Sequence, residues 1–389
     1  MEEHRVVILG STGSIGRQTL EVIESLNAAG KGFTVLALAA KRNVALLAEQ
    51  IRRFRPRFIA LGEADHQLER SLKAEIAGLD PQPVLLHDPE ALVELARLEE
   101  ADIVVNALVG AAGLPPTLAA LRAGKRLCLA NKESLVVGGH LVSAALNGKV
   151  ELLPIDSEHN SIFQLLEGHD PAEVRRVILT ASGGALRDLP LEKLEGVKPE
   201  EVLRHPNWRM GKRITVDSAT LVNKGFEVIE AHWLFQLDYD KIEALIHPQS
   251  VIHGLVEFVD GTVTAALAPP DMRLPIQHAL TYPERIPSKW PRLQLLGLEL
   301  TFQEIDTRRY PAFAVVLEAG RLGGSAPAAI NAADEVLVER FLHGEIAFPK
   351  IGAGLAQVLE EHCRELIPEP DLEELMAVDR WARARAREL

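Results

Sequence analysis

The sequence contains few cysteines, no basic run and no long apolar segment. Only two of its 389 residues are cysteines, Cys128 and Cys363, which argues against a disulfide framework and favours a reducing, cytoplasmic location. The formal net charge is −13, and without a basic cluster we expect no binding to nucleic acid. No uncharged apolar stretch approaches the roughly 18 residues of a membrane span, and the first residues have the form of neither a signal peptide nor a transit peptide. We therefore expect no membrane association.

The first 150 residues alternate short apolar runs with longer amphipathic ones. Residues 5–9 and 33–39 have the composition of strands, whereas 17–29 and 44–54 have the periodicity of helices. This alternation predicts an α/β domain over 1–150, with a doubly wound parallel sheet of Rossmann type. Ligands of such sheets bind beyond the carboxyl ends of the strands.

The remainder of the chain predicts two further domains. A strand pattern at 174–182 and a hairpin that turns at Asp260-Gly261 indicate an α+β domain over 151–285. Residues 282–300 are rich in proline and have no clear period, and we predict a linker over 286–310. Residues 311–389 have helical periodicity throughout and predict a C-terminal helical domain.

A glycine-rich turn, GSTGSIG, follows the first predicted strand at residues 10–16. A plain tight turn would use glycines in the same way. However, the turn also precedes a predicted helix, whose N-terminal N–H groups can bind a pyrophosphate. We therefore predict a nucleotide site here. Its residues are Ser11, Thr12, Gly13, Ser14, Ile15 and Gly16.

The end of the second predicted strand indicates which nucleotide binds. A site for NAD usually carries an acidic residue at this point, to bind the ribose 2′-hydroxyl. This sequence has Lys41, Arg42 and Asn43 instead, which suit a 2′-phosphate. A solvated basic loop is the alternative interpretation. We favour NADPH as the cofactor.

Two carboxylates stand one residue apart in PIDSEHNS, residues 154–161. Asp156 or Ser157 can cap a helix that begins near His159, with Glu158 as a favourable acid in its first turn. Alternatively, Asp156 and Glu158 can bind one hard divalent cation through oxygen. From this stretch alone, the helix cap is the simpler interpretation.

Residues 218–235 have the pattern of one helix, and three of its polar side chains share a face. Asn223 and Lys224 lie four and three residues before Glu227. A surface ion pair would also explain Lys224 and Glu227, but the run around them is otherwise apolar. This face is therefore a candidate site.

Three loops complete the set of candidate motifs. Residues 180–184, TASGG, can form a backbone nest for an anion. Residues 205–211, HPNWRMG, contain aromatic bulk and have the composition of a flexible lid or of a plain loop. Residues 130–134, ANKES, follow a predicted strand, which places Lys132 on the same rim of the sheet as the glycine turn.

In order along the chain, these motifs resemble those of 1-deoxy-D-xylulose 5-phosphate reductoisomerases. The resemblance rests on the following stretches: GSTGSIG, ANKES, IDSEHNSIFQ, SGG, HPNWRMGKRITVDSATLVNKGFE and HPQSVIHGLVEF. It implies an NADPH-binding N-terminal domain, a catalytic domain with a flexible loop and a C-terminal helical domain, in a homodimer. Two details depart from the family pattern: AAKRN is more basic, and Ala181 replaces a common glycine.

The resemblance also implies an activity. It is the NADPH- and metal-dependent rearrangement and reduction of 1-deoxy-D-xylulose 5-phosphate to 2-C-methyl-D-erythritol 4-phosphate, in the non-mevalonate pathway to isoprenoid precursors. The family's metal ligands correspond to Asp156, Glu158 and Glu227, which would hold one Mg²⁺ or Mn²⁺ ion, with Co²⁺ as a further candidate. With Lys132 and His205 they would form the catalytic set. The cap at Asp156 can coexist with a metal.

Further residues match substrate and cofactor contacts of the family. Lys132 would contact the reacting end of the substrate, and Trp208 would cover it when the loop closes. Side chains that match substrate contacts are Ser157, Ser182, His205, Ser218, Asn223 and Lys224, of which Ser182, Ser218, Asn223 and Lys224 would hold the phosphate and nearby hydroxyls. The family's remaining cofactor contacts, outside residues 11–16 and 41–43, match Asn131, Glu133 and Gly211.

His247 and His253 offer imidazoles at a six-residue spacing. They could ligate a metal, but three carboxylates already suit a hard cation, so we interpret both as structural. Two other functions share the nucleotide motif: an NADP-dependent dehydrogenase without rearrangement, and an NADP(H)-binding sensor without catalysis. Neither gives the acidic residues a role.

Overall fold

The chain folds into two compact units, each built from several segments. The computed structural model describes residues 3–62, 65–87, 90–146, 148, 150–205, 207–208 and 210–389. The first unit comprises Met1–Asn131, Val142–Asp156 and Met272–Trp290. The second comprises Lys132–Leu141, Ser157–Asp271 and Pro291–Leu389. Pro206 and Arg209, in the predicted lid, lie outside the described residues.

The strands of the described residues belong to two sheets, one in each unit. Within this part of the chain, seven strands form the first sheet: β1 Glu3–Leu9, β2 Gly32–Ala40, β3 Phe58–Leu61, β4 Val84–Leu86, β5 Ile103–Asn106, β6 Arg126–Leu129 and β7 Leu152–Pro154. Four strands form the second: β8 Val174–Ala181, β9 Ile242–Ile246, β10 Ile252–Phe258 and β11 Val263–Leu267.

The α-helices alternate with strands in the first half of the chain and follow one another in the last quarter. In chain order they are α1 Ser14–Ala28, α2 Val44–Phe54, α3 His66–Ile76, α4 Ala91–Ala96, α5 Leu114–Arg122, α6 Glu133–Ala145, α7 Ser157–Leu166, α8 Pro199–Val202, α9 Lys212–Thr220, α10 Val222–Phe235, α11 Arg273–Thr281, α12 Pro311–Leu322, α13 Ala326–Leu342, α14 Pro349–His362 and α15 Leu372–Glu388. None of the helices in the described residues combines the length and the apolar character needed to cross a membrane.

The first sheet is parallel, with the strand order β4-β3-β2-β1-β5-β6-β7. Strand order reverses between β1 and β5, so the carboxyl ends of these strands border the crevice where such sheets bind ligands. Leu9, the last residue of β1, pairs with Ala39 of β2 and Asn106 of β5. The Rossmann-type sheet predicted from the sequence is confirmed.

Burial on both faces explains the uninterrupted apolar run of β1. Residues Val6 to Leu9 are completely buried. Helix α1 packs with one face only, and its buried residues include Leu20, Ile23 and Leu26 at helical spacing. A strand that is buried on both faces has a continuous apolar run, whereas a helix that is buried on one face has apolar residues at helical spacing. These two patterns alternate in the sequence.

Helix α11 belongs to the first unit, although the predicted catalytic domain extended to residue 285. It packs on α1 and against β6 and β7. The thiol of Cys128 on β6 donates to the carbonyl oxygen of Ala279 at 3.4 Å, and the Arg273 guanidinium lies 4.2 Å from the ring centre of Trp290. The sequence pattern contains no information on which sheet this helix covers, so the boundary at 285 could not be placed correctly from the sequence.

The second sheet is mixed, with the order β11-β10-β8-β9. Strands β10 and β11 form the predicted antiparallel hairpin, whereas β8 and β9 are parallel. Val177 and Val256 from the sheet pack with Ile162 of α7 and Val228 of α10 in one apolar core. This core holds the two helices that carry most of the predicted metal ligands.

The C-terminal helices α12 to α15 are part of the second unit and pack on one another and on α9 and α10. Gly225 on α10 allows a close approach to α12, because a Cβ there would lie 2.7 Å from Cγ1 of Val316. The sequence predicted a separate C-terminal helical domain. Helical periodicity does not reveal contacts with earlier elements, so it could not show that these helices belong to the second unit.

The helix predicted over 218–235 is interrupted. Helix α9 ends at Thr220 and α10 begins at Val222, with Leu221 between them in the left-handed region at φ 58°. Leu221 is buried, so its apolar side chain continues the periodic pattern through the break. Asn223, Lys224 and Glu227 all lie on α10, and their predicted common face is retained.

Candidate active site

The glycine turn of the first unit is held against the end of β2. The backbone N–H groups of Gly10 and Ser11 both donate to the carbonyl oxygen of Ala39, at 3.0 and 2.8 Å. The Ser11 hydroxyl donates to Gln50 Oε1 at 2.8 Å, and Gln50 Nε2 donates back to the Ser11 carbonyl at 2.9 Å. Gly13 and Ser14, in contrast, are exposed at the start of α1. The turn is therefore rigid on its inner side and accessible at the helix N-terminus.

Two glycines in this turn are required by close backbone packing. Gly10 has φ +85°, and a Cβ there would lie 2.5 Å from the carbonyl oxygen of Ala107. A Cβ at Gly16 would lie 2.3 Å from the carbonyl oxygen of Gly10. The spacing of these glycines thus packs the start of α1 against the first strand, as dinucleotide-binding turns require.

Lys41, Arg42 and Asn43 follow β2 directly and are all exposed. The side chain of Asn43 accepts from the N–H of Leu46 at 3.2 Å and so caps α2. This capping role was not predicted from the sequence. Lys41 and Arg42 form the cationic end of the strand that the 2′-phosphate interpretation requires.

Asn131 is buried beneath the loop that follows β5. Its amide nitrogen donates to the carbonyl oxygens of Leu108 and Gly110, at 3.1 and 3.0 Å. A Cβ at Gly113 would overlap this amide, at 2.1 Å from its oxygen. The side chain therefore shapes the loop, and its predicted contact with the cofactor stays a prediction.

Glu227 is the centre of a buried polar cluster in the second unit. Its carboxylate, with only 1% of the residue exposed, accepts from Asn223 Nδ2 at 2.5 Å and from Lys132 Nζ at 3.3 Å. It also accepts a hydrogen bond from Lys224. Lys132 Nζ further donates to Asn223 Oδ1 at 2.7 Å. The structure thus brings together residues that the sequence places about 90 positions apart.

Glu158 and Glu227 converge on one point, which the ammonium of Lys224 occupies. Lys224 Nζ donates to Glu158 Oε1 at 2.9 Å and to Glu227 Oε2. Two carboxylates this close, one buried and one partly buried, would repel each other without a cation between them. The lysine predicted as a phosphate ligand therefore neutralises two of the predicted metal ligands.

Asp156 and Ser157 join the two units at the start of α7. Asp156 ends the second segment of the first unit, and Ser157 begins both the second segment of the second unit and the helix. The Ser157 hydroxyl donates to Glu158. Asp156 therefore has the N-cap position and Glu158 lies in the first turn, as the capping interpretation requires.

His159 was not identified from the sequence, although it follows the two acidic residues directly. It is completely buried, its Nε2 lies 2.8 Å from the backbone carbonyl oxygen of Glu227, and its Nδ1 lies 3.5 Å from Glu230. Since a carbonyl oxygen can only accept, Nε2 carries the hydrogen. The histidine links α7 to α10 and so fixes the spacing between Glu158 and Glu227.

A second polar group forms around the end of β8. The Ser182 hydroxyl accepts from the N–H of Gly184 at 3.1 Å and lies 3.4 Å from the Ser218 hydroxyl. Gly183 and Gly184 both have positive φ, and a Cβ at Gly184 would lie 2.5 Å from Cα of Ala219. The backbone N–H groups of a turn can converge on an anion, so this glycine turn is a candidate anion site.

His205 closes over this group from the predicted lid. Its Nδ1 accepts from the N–H groups of Asn207 and Trp208, at 3.2 and 2.9 Å, so Nε2 carries the hydrogen and donates to Ser182 Oγ at 2.9 Å. Burial lowers the pKa of His205 below its usual value. Asn207 donates to the carbonyl oxygen of Pro248 at 2.7 Å, and the Trp208 ring centre lies 6.1 Å from that of His253. The described part of the loop is therefore docked on the second unit.

His247 and His253 have backbone partners. His247 Nδ1 lies 2.9 Å from the carbonyl oxygen of Thr301, and the ring stacks on Phe302. His253 Nε2 lies 3.2 Å from the carbonyl oxygen of Ala268. These contacts support the structural interpretation of both histidines.

Comparison with known proteins gives one consistent result. Three family models match the chain: 1-deoxy-D-xylulose 5-phosphate reductoisomerase over residues 6–139, the C-terminal domain of that enzyme over 152–235, and the DXP reductoisomerase C-terminal domain over 267–385. The chain is 52% identical over 380 residues to the 1-deoxy-D-xylulose 5-phosphate reductoisomerase of Pelotomaculum thermopropionicum, covering 97% of this chain and 96% of that protein.

Solved structures give the same answer. The chain is similar to the reductoisomerase from Zymomonas mobilis in complex with NADPH, with a TM-score of 0.89 and 40% identity over 100% of this chain and 99% of that chain. It is also similar to a DOX-P reductoisomerase in complex with NADPH, fosmidomycin and magnesium, with a TM-score of 0.92 and 38% identity over 99% of this chain and 98% of that chain. The family suggested by the sequence motifs is thereby confirmed: the chain belongs to the 1-deoxy-D-xylulose 5-phosphate reductoisomerases.

Proposed function

We propose that the chain converts 1-deoxy-D-xylulose 5-phosphate to 2-C-methyl-D-erythritol 4-phosphate, with NADPH held by the first unit and the sugar phosphate and a divalent cation held by the second. The observation that carries this proposal is the convergence of Glu158 and Glu227 beside Lys132, in the same unit as an anion-binding turn. A relative solved with NADPH, fosmidomycin and magnesium supports it.

Asp156, Glu158 and Glu227 are the proposed ligands of the cation, which is Mg²⁺, Mn²⁺ or Co²⁺. The donor set fits, because carboxylate oxygens suit hard divalent cations and two of the three groups already converge on one positive charge. When bound, the cation would polarise the ketose carbonyl and stabilise negative charge on its oxygen.

The side chains around the carboxylates position the substrate. Lys132 offers an ammonium that is anchored by Asn223 and Glu227, and we assign it to the reacting end of the sugar. Ser157 lies beside Glu158 and supplies a hydroxyl contact. Lys132 is bonded to residues of α10 and Ser157 to Glu158 of α7. The proposed substrate contacts are therefore positioned by the helices that carry Glu158 and Glu227.

The phosphate subsite is assigned to Ser182, Ser218, Asn223 and Lys224. His205 adds an Nε2–H donor next to the Ser182 hydroxyl, and its lowered pKa favours the neutral ring at physiological pH. Trp208, on the same loop, covers the substrate and excludes water. The nearby turn at Gly183 and Gly184 contributes backbone N–H groups.

The cofactor subsite is assigned to residues of the first unit, together with Glu133 and Gly211. The pyrophosphate binds at the helix N-terminus formed by residues 11–16, and Lys41 and Arg42 bind the 2′-phosphate, with Asn43 beside them. The remaining contacts are Asn131, Glu133 and Gly211.

We expect the chain to oxidise NADPH in the presence of 1-deoxy-D-xylulose 5-phosphate and Mg²⁺, and to use NADH poorly. The double substitution of Lys41 and Arg42 by alanine removes two charge-assisted contacts, so binding of NADPH should weaken by about 1–3 kcal/mol while that of NADH changes little. Absorbance at the reduced nicotinamide band measures turnover, and a chelator followed by Mg²⁺ tests the metal dependence. Equal use of both cofactors by the unmodified chain would contradict the assignment of Lys41 and Arg42, and turnover that survives the chelator would contradict the cation.

We propose a homodimer whose interface includes the free edge of the second sheet. Strand β11 lies at the end of the strand order, and Val263 and Leu267 on it are 50% and 41% exposed. An edge strand with exposed apolar side chains can pair with a second copy of itself. Sedimentation equilibrium of the unmodified chain should give twice the monomer mass, and the change of Val263 to lysine should shift the protein toward the monomer. A monomer at micromolar concentration would reject the proposal.

The proposed location is the cytoplasm, where the free thiols of Cys128 and Cys363 would stay reduced.

A further inference from the structure

Arg213 is the centre of an ion network outside the proposed catalytic cluster. It lies on α9 and is largely buried, and its guanidinium donates to Asp334 at 3.2 Å and lies 3.0 Å from Glu335. Asp217, one turn further along α9, lies 3.6 Å away. Burial opposes the charge of Arg213, but the surrounding carboxylates prevail and raise its pKa above its usual value. Arg213 therefore stays charged, and its position is fixed from both α9 and α13.

The same guanidinium reaches the segment that carries Lys132. Arg213 Nη1 donates to Glu133 Oε1 at 3.1 Å. Glu133 is the first residue of α6 and follows Lys132 directly. Lys132 in turn places its ammonium 2.7 Å from Asn223 Oδ1 and 3.3 Å from Glu227 Oε1. Two sets of ionic and hydrogen-bonding contacts, joined by the Lys132–Glu133 peptide bond, thus connect α13 to the acidic cluster.

We propose that Arg213 is a positioning residue for the reaction, which acts through Glu133 to hold Lys132 at the reacting end of the sugar phosphate. The inference rests on the proposed role of Lys132. Its physical basis is that Arg213 binds Glu133 at the start of α6 and is itself anchored by two other helices. The planar guanidinium of Arg213 holds Glu133 and so limits the movement of the neighbouring Lys132 backbone. Small displacements of a positioned group lower the reaction rate strongly.

The network itself offers a matched control. Arg383 on α15 pairs with Glu335 at 2.8 Å and with Asp379 at 2.6 Å. It therefore shares Glu335 with Arg213, but among the contacts of the described residues it has none with Glu133. Loss of Arg383 should disturb the packing of the C-terminal helices without releasing the Lys132 segment.

A variant without Arg213 is expected to fold. Burial, and for Asp217 also the charge of Asp334, raises the pKa of Asp217 and Asp334, the latter to about 6. These two groups can take up protons when the arginine is lost, which limits the uncompensated charge. The change Arg213→Lys keeps the charge and loses the fork. Glu133→Gln breaks the ionic link and leaves only a neutral acceptor for Arg213, so both changes serve as milder tests.

The experiment compares steady-state kinetics and thermal unfolding of Arg213→Met, Arg213→Lys, Glu133→Gln and Arg383→Met, with saturating NADPH and Mg²⁺. We expect kcat to fall about 10- to 100-fold in Arg213→Met and Glu133→Gln, with partial recovery in Arg213→Lys. The double variant Arg213→Met/Glu133→Gln should be no slower than either single one, because both break the same link. Arg383→Met should lower Tm as Arg213→Met does, with kcat within about two-fold of the unmodified enzyme.

The outcomes separate this inference from the proposed function. If Arg213→Met and Glu133→Gln lose thermal stability but keep kcat, Arg213 is only structural and the inference is overturned. If Lys132→Ala itself keeps full turnover, the proposed role of Lys132 fails and the inference fails with it. If Arg213→Met does not fold, Arg213→Lys and Glu133→Gln decide the question by the same criteria.

Discussion

Replacing Glu227 by glutamine is expected to lower the metal-dependent turnover of 1-deoxy-D-xylulose 5-phosphate by at least about 100-fold, because loss of a ligand should exceed the 10- to 100-fold effect of losing an outer-shell partner. Glutamine has nearly the same shape as glutamate and can still accept from Asn223 and Lys132, so the helix packing should persist. The negative charge is lost, and with it the affinity of the site for a hard cation. Turnover should be measured over a titration of Mn²⁺, with circular dichroism as the check on folding.

Glu257→Gln provides the matched control for this change. Glu257 is also nearly buried, at 7% exposure, and pairs with Arg175 and Arg176 at 2.8 and 2.6 Å on the second sheet. Its loss should reduce stability and leave turnover nearly unchanged. Near-normal activity of Glu227→Gln at saturating Mn²⁺ would exclude Glu227 from the metal site.

A compound that joins a hydroxamate to a phosphonate through a short carbon spacer should inhibit the enzyme strongly and in competition with the sugar phosphate. The hydroxamate offers two oxygens to a cation at the carboxylates, and the phosphonate replaces the phosphate at Ser182 and Ser218. Joining the headgroups avoids a second loss of translational freedom, so the linked compound should bind about 10²- to 10⁴-fold more tightly than either headgroup alone. Closure of the loop with Trp208 over the spacer would add buried apolar area at roughly 25 cal/mol per Å².

Calorimetric titrations of two variants test which subsite binds each end of this compound. Asp156→Asn should weaken the hydroxamate end, and Lys224→Ala should weaken the phosphonate end. Since Lys224 also lies between Glu158 and Glu227, its removal should not weaken a hydroxamate tested alone with the cation. Lys241, which donates to the carbonyl oxygen of Val174 elsewhere in the unit, is a suitable control lysine. If neither variant reduces the affinity of the linked compound, the division into two subsites is wrong.

Local patterns were sufficient to predict most elements of this fold. The apolar run of β1, the glycine turn and the amphipathic α1 and α2 each depend on neighbours within a few residues, and all four appear where the sequence predicted them. The same holds for the hairpin that turns at Gly261, where φ is +88°. The break at Leu221 was missed because a buried leucine in a left-handed conformation continues the apolar period through the point where the helix ends.

The parts that could not be predicted depend on contacts between distant segments. The position of Lys224 between two carboxylates requires α7 and α10 to pack, through a shared apolar core and the contact of the buried His159 with the Glu227 backbone. The ion network of Arg213 joins residues more than 100 positions apart, such as Asp334, and ion pairs of this kind leave no periodic signal. Motifs could identify the family and suggest its metal ligands, but they could not show which side chains support these residues.

The position of α11 in the first unit has a consequence for the order in which the protein folds during synthesis. All seven strands of the first sheet are complete at Pro154, but the helix that covers β6 and β7 begins at Arg273. The ribosome therefore releases more than 100 intervening residues, including all four strands described for the second sheet, before α11 can cover the first sheet. An apolar surface left open for that interval is a target for aggregation and for chaperones. The nascent first unit has to remain incomplete until much of the second has been made.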